Sequence, residues 1–155
     1  MKLETAVKIL RIGLGINFLW FGILKFFPGM SPAETLAKMT IDALTFNLVP
    51  PGLELLAVWE VAIGVGFITG KYLPYIIRIF MVHMVLTFTP LVLFPELCFT
   101  NAPFALTLVG QYIIKNLVFI TAGAIICITR NKKYENNDGQ EKCTVIQIRE
   151  NEVPR

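Results

Sequence analysis

Four apolar stretches dictate what this chain can fold into. They cover residues 7–27, 53–69, 73–94 and 104–130. A helix rises about 1.5 Å per residue and a hydrocarbon core is about 30 Å thick, so each stretch matches a bilayer span. Within lipid the backbone must satisfy its own hydrogen bonds, which makes each stretch a helix. The expected fold is all-α, a four-transmembrane-helix bundle. Composition agrees, since 16% of the 155 residues are charged against roughly 25% in a soluble domain. The net charge of +3 is modest, and no basic stretch interleaved with aromatics suggests nucleic acid.

The spans are not purely apolar. Gln111, Lys115 and Asn116 lie near the middle of residues 104–130. A charged amine in lipid costs several kcal/mol, roughly 3 or more, so partners inside the protein are expected. Span one carries Arg11, Asn17 and Lys25, span two Glu54 and Glu60, and span three Arg78 and His83. Arg11, Gly15, Phe18, Gly22 and Lys25 follow at alternating spacings of four and three, which places them on one helix face. Gly15 and Gly22 let a neighbouring backbone approach. Gly64 stands one turn after Glu60, so charge and close-packing room share a face.

Turn residues mark the connections. Pro28-Gly29 ends the first span. Ser31, Pro32 and Glu34 read as the start of a short amphipathic helix over residues 32–44, in the first external loop, with Leu36, Met39 and Ala43 on its apolar face. Pro90 is placed to kink the third span, and Pro95 to stop it. Residues 1–130 form the membrane domain and residues 131–155 a polar cytoplasmic tail. In that tail residues 143–148 are β-branched and suit a short strand, a flexible tail or a strand lent to a partner. The first apolar run is long and has no small-residue cleavage pattern, unlike a cleavable signal. Positive charge collects at the N-terminus, at Lys71 and after Arg130, and is missing from residues 96–103. The positive-inside pattern then puts both termini in the cytoplasm.

With that orientation, Lys25 and Glu54 share the outer layer. Glu60, His83, Lys115 and Asn116 share the middle, with Gln111 one turn outward of Lys115. Opposite charges at one depth reduce each other's desolvation cost. The expected ion pairs are Lys25 with Glu54 and Glu60 with Lys115, His83 competing for Glu60. Gln111, Lys115, Asn116, His83 and Glu60 are also the candidate ligand-binding residues. One reading is purely structural, with the charges fixing helix register. Others are a ligand or redox-associated pocket and a path for protons or small molecules. No catalytic residue is assigned. Three scattered cysteines and one histidine offer no dithiol and no metal-site spacing. Trp20 and Trp59 read as packing residues.

The order of these patterns across four spans resembles the DoxX-like membrane proteins, in the broader group that includes the small subunit of thiosulfate:quinone oxidoreductase. The resemblance covers residues 10–128. It rests on RIGLGINFLWFGILKF from Arg11, the glutamate-bearing second span, and GQYIIKNLVFITAG from Gly110. It implies a four-helix protein of the bacterial inner membrane, associated with redox systems, sulfur-compound oxidation or oxidative stress. The resemblance implies no single activity. From the residues the chain reads as a quinone-facing or docking subunit of a redox system, a quinone being one ligand whose carbonyls the interior donors suit. Without a nucleophile-base-acid set no independent catalysis is expected. A structural or lipid-binding scaffold and a transporter remain alternatives. The partners expected are membrane lipids, a redox-complex subunit and further copies of the chain.

Overall fold

The computed structural model describes residues 2–30, 34–45 and 52–151, with side chains described up to 132. Helix α1 spans Leu3–Leu24, α2 Glu34–Thr45, α3 Gly52–Thr69, α4 Leu73–Leu86, α5 Thr89–Leu93, α6 Pro95–Cys98 and α7 Leu108–Asn151; strands β1 (Phe99–Asn101) and β2 (Ala105–Leu106) lie between α6 and α7. Four helical segments are long and apolar enough to cross a membrane, Leu3–Leu24, Gly52–Thr69, Leu73–Leu93 and Leu108–Lys132. The chain is a multi-pass integral membrane protein built as an all-α four-helix bundle. Neighbouring helices pack in the order α1, α3, α4, α7 and back to α1. Helices α3 and α7 therefore stand at opposite corners.

The closest packing joins α1 to α3. A Cβ on Gly22 would lie 2.9 Å from the Val61 nitrogen and 3.1 Å from Glu60 Cβ. One on Gly64 would lie 2.5 Å from the Leu19 nitrogen. Small residues thus bring the two backbones together, as the spacing on α1 predicts. Gly15, Phe18 and Gly22 are all buried.

Two apolar clusters fill the interior. The larger holds Leu14, Phe18, Ile63, Phe67, Phe80 and Ile126 among its members. Its rings meet edge-on, Phe18 against Phe80 at 5.3 Å and Phe67 against Phe80 at 5.2 Å between centroids. The smaller holds Leu36, Cys98 and Ile113, with Phe88, Leu91 and Phe94 packed on it. It sits toward the end of the bundle where α2 lies. Helix α2 buries Leu36 and Thr40 there, while Met39 and Ala43 are exposed.

Pro90 interrupts span three, as expected. Proline has no N–H to give Leu86, and the Thr89 hydroxyl donates to that carbonyl instead, at 2.7 Å. The connection after it is more ordered than its sequence suggests. A four-residue helix and a hairpin replace the expected loop, with Phe99 opposite Leu106 and Asn101 opposite Ala105. Thr107 closes the hairpin, its N–H donating to Cys98 O at 3.0 Å and its hydroxyl to Leu97 O at 2.7 Å. The fourth span consequently starts at Leu108, and Phe104 is 92% exposed in the hairpin. Trp20 and Trp59 also face outward rather than into the core. The backbone of α7 runs on as helix to Asn151, so residues 143–148 are helical and not a strand. A helix already nucleated adds residues cheaply, and β propensity without a partner strand offers no competing stabilisation. Ser31 and Pro32, read as the start of the amphipathic helix, lie outside the described residues.

Candidate functional site

Three ionisable side chains meet where α1, α3 and α4 converge. Lys25 caps the C-terminal end of α1. Glu60 is in the middle of α3 and His83 is near the end of α4. Lys25 Nζ lies 2.5 Å from Glu60 Oε2, with both side chains about nine-tenths buried. His83 Nε2 stands 3.6 Å from the other carboxylate oxygen, Oε1. Lys25 also donates to Phe21 O at 3.4 Å. The Phe18 ring presses edge-on to the imidazole at 5.5 Å.

Helix geometry explains why these groups meet. Every helical Cα–Cβ bond leans toward its own N-terminus. Helices α1 and α3 run antiparallel, so Lys25 leans back along α1 while Glu60 leans toward it. Gly22 removes the side chain that would hold the helices apart at that level. Glu54, the partner expected from depth, leans away from Lys25. It also lies six residues before Glu60, about 240° around the helix at 3.6 residues per turn. Glu54 is exposed and feels Lys38 of α2 instead.

Lys115 is likewise not the partner of Glu60. It is exposed and lies over the Tyr112 ring, 4.8 Å from the centroid. Gln111 is exposed one turn away. Asn116 of α7 is half-buried and turns toward α4. Its amide donates to Thr87 Oγ1 at 3.3 Å, and Thr87 donates in turn to Met84 O at 2.7 Å. Thr87 follows His83 by one turn, so this bond forms a second polar step beside the ionic cluster.

Of the residues singled out by sequence, the structure brings together Lys25, Glu60 and His83, and places Asn116 nearby. It sets Gln111, Lys115 and Glu54 on the outside. Thr87 and the contact of Phe18 with His83 were not anticipated. The signal for the Lys25–Glu60 pair was present in the glycines. Gly22 and Gly64 mark facing surfaces, and an antiparallel match between them sets Lys25 beside Glu60.

Chemically, Lys25 and Glu60 neutralise each other and fix one carboxylate oxygen. The other oxygen faces the imidazole at 3.6 Å, an electrostatic contact just beyond hydrogen-bond length. Among the described residues no three His, Cys, Asp or Glu side chains gather as a metal site needs. A shallow groove lies on the outward side of α4, lined by Met81, Val82, Val85 and Leu86. It is apolar and suits an acyl or isoprenoid chain rather than a polar headgroup.

No family model, no curated protein and no solved structure matches the chain.

Proposed function

We propose that this integral membrane protein is a quinone-facing or docking subunit of a redox system in the bacterial inner membrane, with both termini cytoplasmic. The observation that carries the reading is the buried Lys25–Glu60–His83 cluster in an apolar, aromatic-walled interior. A quinone has an apolar body and carbonyls that accept hydrogen bonds. The donor set fits that chemistry. The Lys25 ammonium has three N–H groups, of which Glu60 and Phe21 O take two, and His83 offers a ring N–H or a proton. Asn116 supplies a further amide beside the cluster. A bound quinone would supply the redox chemistry; an electron donor would come from a partner subunit. The chain's own residues orient the headgroup, with the Glu60 carboxylate and the His83 imidazole facing each other at 3.6 Å beside it. The resemblance to DoxX-like proteins supports the same reading, as do the positive charges at both ends of the membrane domain.

A second reading has its own support. Lys25 and Glu60 satisfy each other at the tightest helix crossing in the bundle, which suits a structural pin in a scaffold. One experiment separates the two. The purified protein in nanodiscs is titrated with a soluble-tailed quinone, alongside His83→Phe and Lys25→Met. Saturable binding lost in His83→Phe, with the thermal transition unchanged, supports the quinone site. Absence of binding to the folded wild-type protein rejects it and leaves the scaffold.

A further inference from the structure

Several charged side chains face outward from the spans; Glu4, Lys8 and Arg78 do so toward one end and Glu54 and Lys115 toward the other, where α2 lies. Glu54 on α3 and Lys115 on α7 are both exposed. Neither makes a salt bridge among the described residues. They stand at opposite corners of the bundle, because α3 and α7 each pack between α1 and α4.

Their depths agree. Glu60 and His83 lie in one layer. Glu54 is six residues from Glu60 toward the α2 end, a rise of about 9 Å. Thr87 is one turn from His83 in the same direction, about 6 Å, and bonds Asn116. Lys115 is one residue farther, which puts it about 7.5 Å from the layer and within about 1.5 Å of Glu54.

The surroundings are complementary as well. Near Glu54, the carboxylates of Glu34, Asp42 and Glu54 all act on Lys38 of α2. The surface of α7 offers Lys115 with Gln111, among exposed Tyr112, Leu117 and Val118. A charge facing lipid at this depth is costly, and the cost falls when an opposite charge meets it.

We propose that copies of this chain associate head-to-tail, the α7 face of one copy carrying Lys115 docking on the α3 face of the next carrying Glu54. The two patches differ, so the contact is heterologous. It closes into a ring where the rotation permits. The rival is a monomer whose Lys115 reaches past Tyr112 to lipid headgroups.

The test uses two differently tagged full-length chains made together, one with Val58→Cys beside Glu54 and the other with Val118→Cys beside Lys115, both exposed and both with Cys127→Ser and Cys143→Ser. Native membranes are treated with a short bifunctional maleimide. The expected product is a crosslink between the two tags, with none between like chains. Monomer alone, like-with-like crosslinks or a crosslink only to another protein would overturn the proposal. In nanodiscs, Lys115→Glu and Glu54→Lys should each lower the oligomer mass and their combination should restore it. Persistence of the oligomer in both single variants, or no rescue in the double, would also overturn it.

Discussion

Lys25 and Glu60 meet across 35 positions of sequence, Nζ to Oε2 at 2.5 Å, because Gly22 and Gly64 let α1 and α3 touch through their backbones. The pair is buried, and its energetics follow from burial. Breaking one partner leaves an uncompensated charge, whereas removing both leaves none.

The first prediction is therefore a coupled cycle. Lys25→Met should cost about 3–5 kcal/mol, and Lys25→Met with Glu60→Gln should be milder than the sum of the single changes. Lys115→Met should show no coupling to Glu60. Reversible unfolding in mixed micelles measures all of these. Independence of Lys25 and Glu60 would remove the pair from the stability of the bundle.

Gly22 carries the second. An added methyl there meets backbone of α3, so Gly22→Ala should destabilise by about 1–3 kcal/mol. Gly13 is helical with nothing within 4 Å of its added Cβ. Gly13→Ala should be neutral or stabilising by up to about 1 kcal/mol through helix propensity. The difference between their thermal midpoints in one detergent is the readout.

Gly70 combines two constraints. Its φ is +72°, a region costly for residues with a Cβ, and the Arg11 guanidinium lies where that Cβ would go. Gly70→Ala should lose more than the roughly 1–2 kcal/mol of the backbone strain alone. Adding Arg11→Ala should return part of that loss. A double variant no better than Gly70→Ala in unfolding would show that Arg11 does not contribute.

Glu34 gives a pH dependence outside the membrane. Its carboxylate accepts from Lys38 Nζ at 2.8 Å and from the Gly29 N–H at 2.7 Å. These bonds, the Lys38 one first, hold its pKa below the ordinary 4.5. Stability from a depressed carboxylate is complete above the unfolded pKa and is lost as pH falls through the folded one. The Gly29 amide resonance should thus titrate with a midpoint below the ordinary 4.5. A midpoint at or above the ordinary glutamate value would contradict the bond.

Topology is the fifth. Reporter fusions after Asn47, Lys71, Thr100 and Arg130 should read outside, inside, outside and inside. Any other alternation would reverse the orientation in the proposed function, although not the depth match between Glu54 and Lys115.

The sequence by itself determined the spans. Length and apolar composition decide helix in lipid, since no other open backbone satisfies its hydrogen bonds there. The α1 face of Gly15, Phe18, Gly22 and Lys25 was legible for the same reason, as helical period sets which residues share a side. So was the break at Pro90, because the missing N–H is local chemistry. The hairpin at Phe99–Leu106 was hidden, since two short strands carry little periodic signal. Pairing was decided only in three dimensions. Sequence position gives depth only approximately; it made Glu54 suit Lys25 and Lys115 suit Glu60, whereas the structure sets Lys115 about 7.5 Å from the Glu60 layer. Rotation about each helix then turned Glu60 inward and left Glu54 and Lys115 outside. That rotation depends on which glycine faces touch, and the lean of each Cβ toward its own N-terminus brought Lys25 to Glu60 across the crossing.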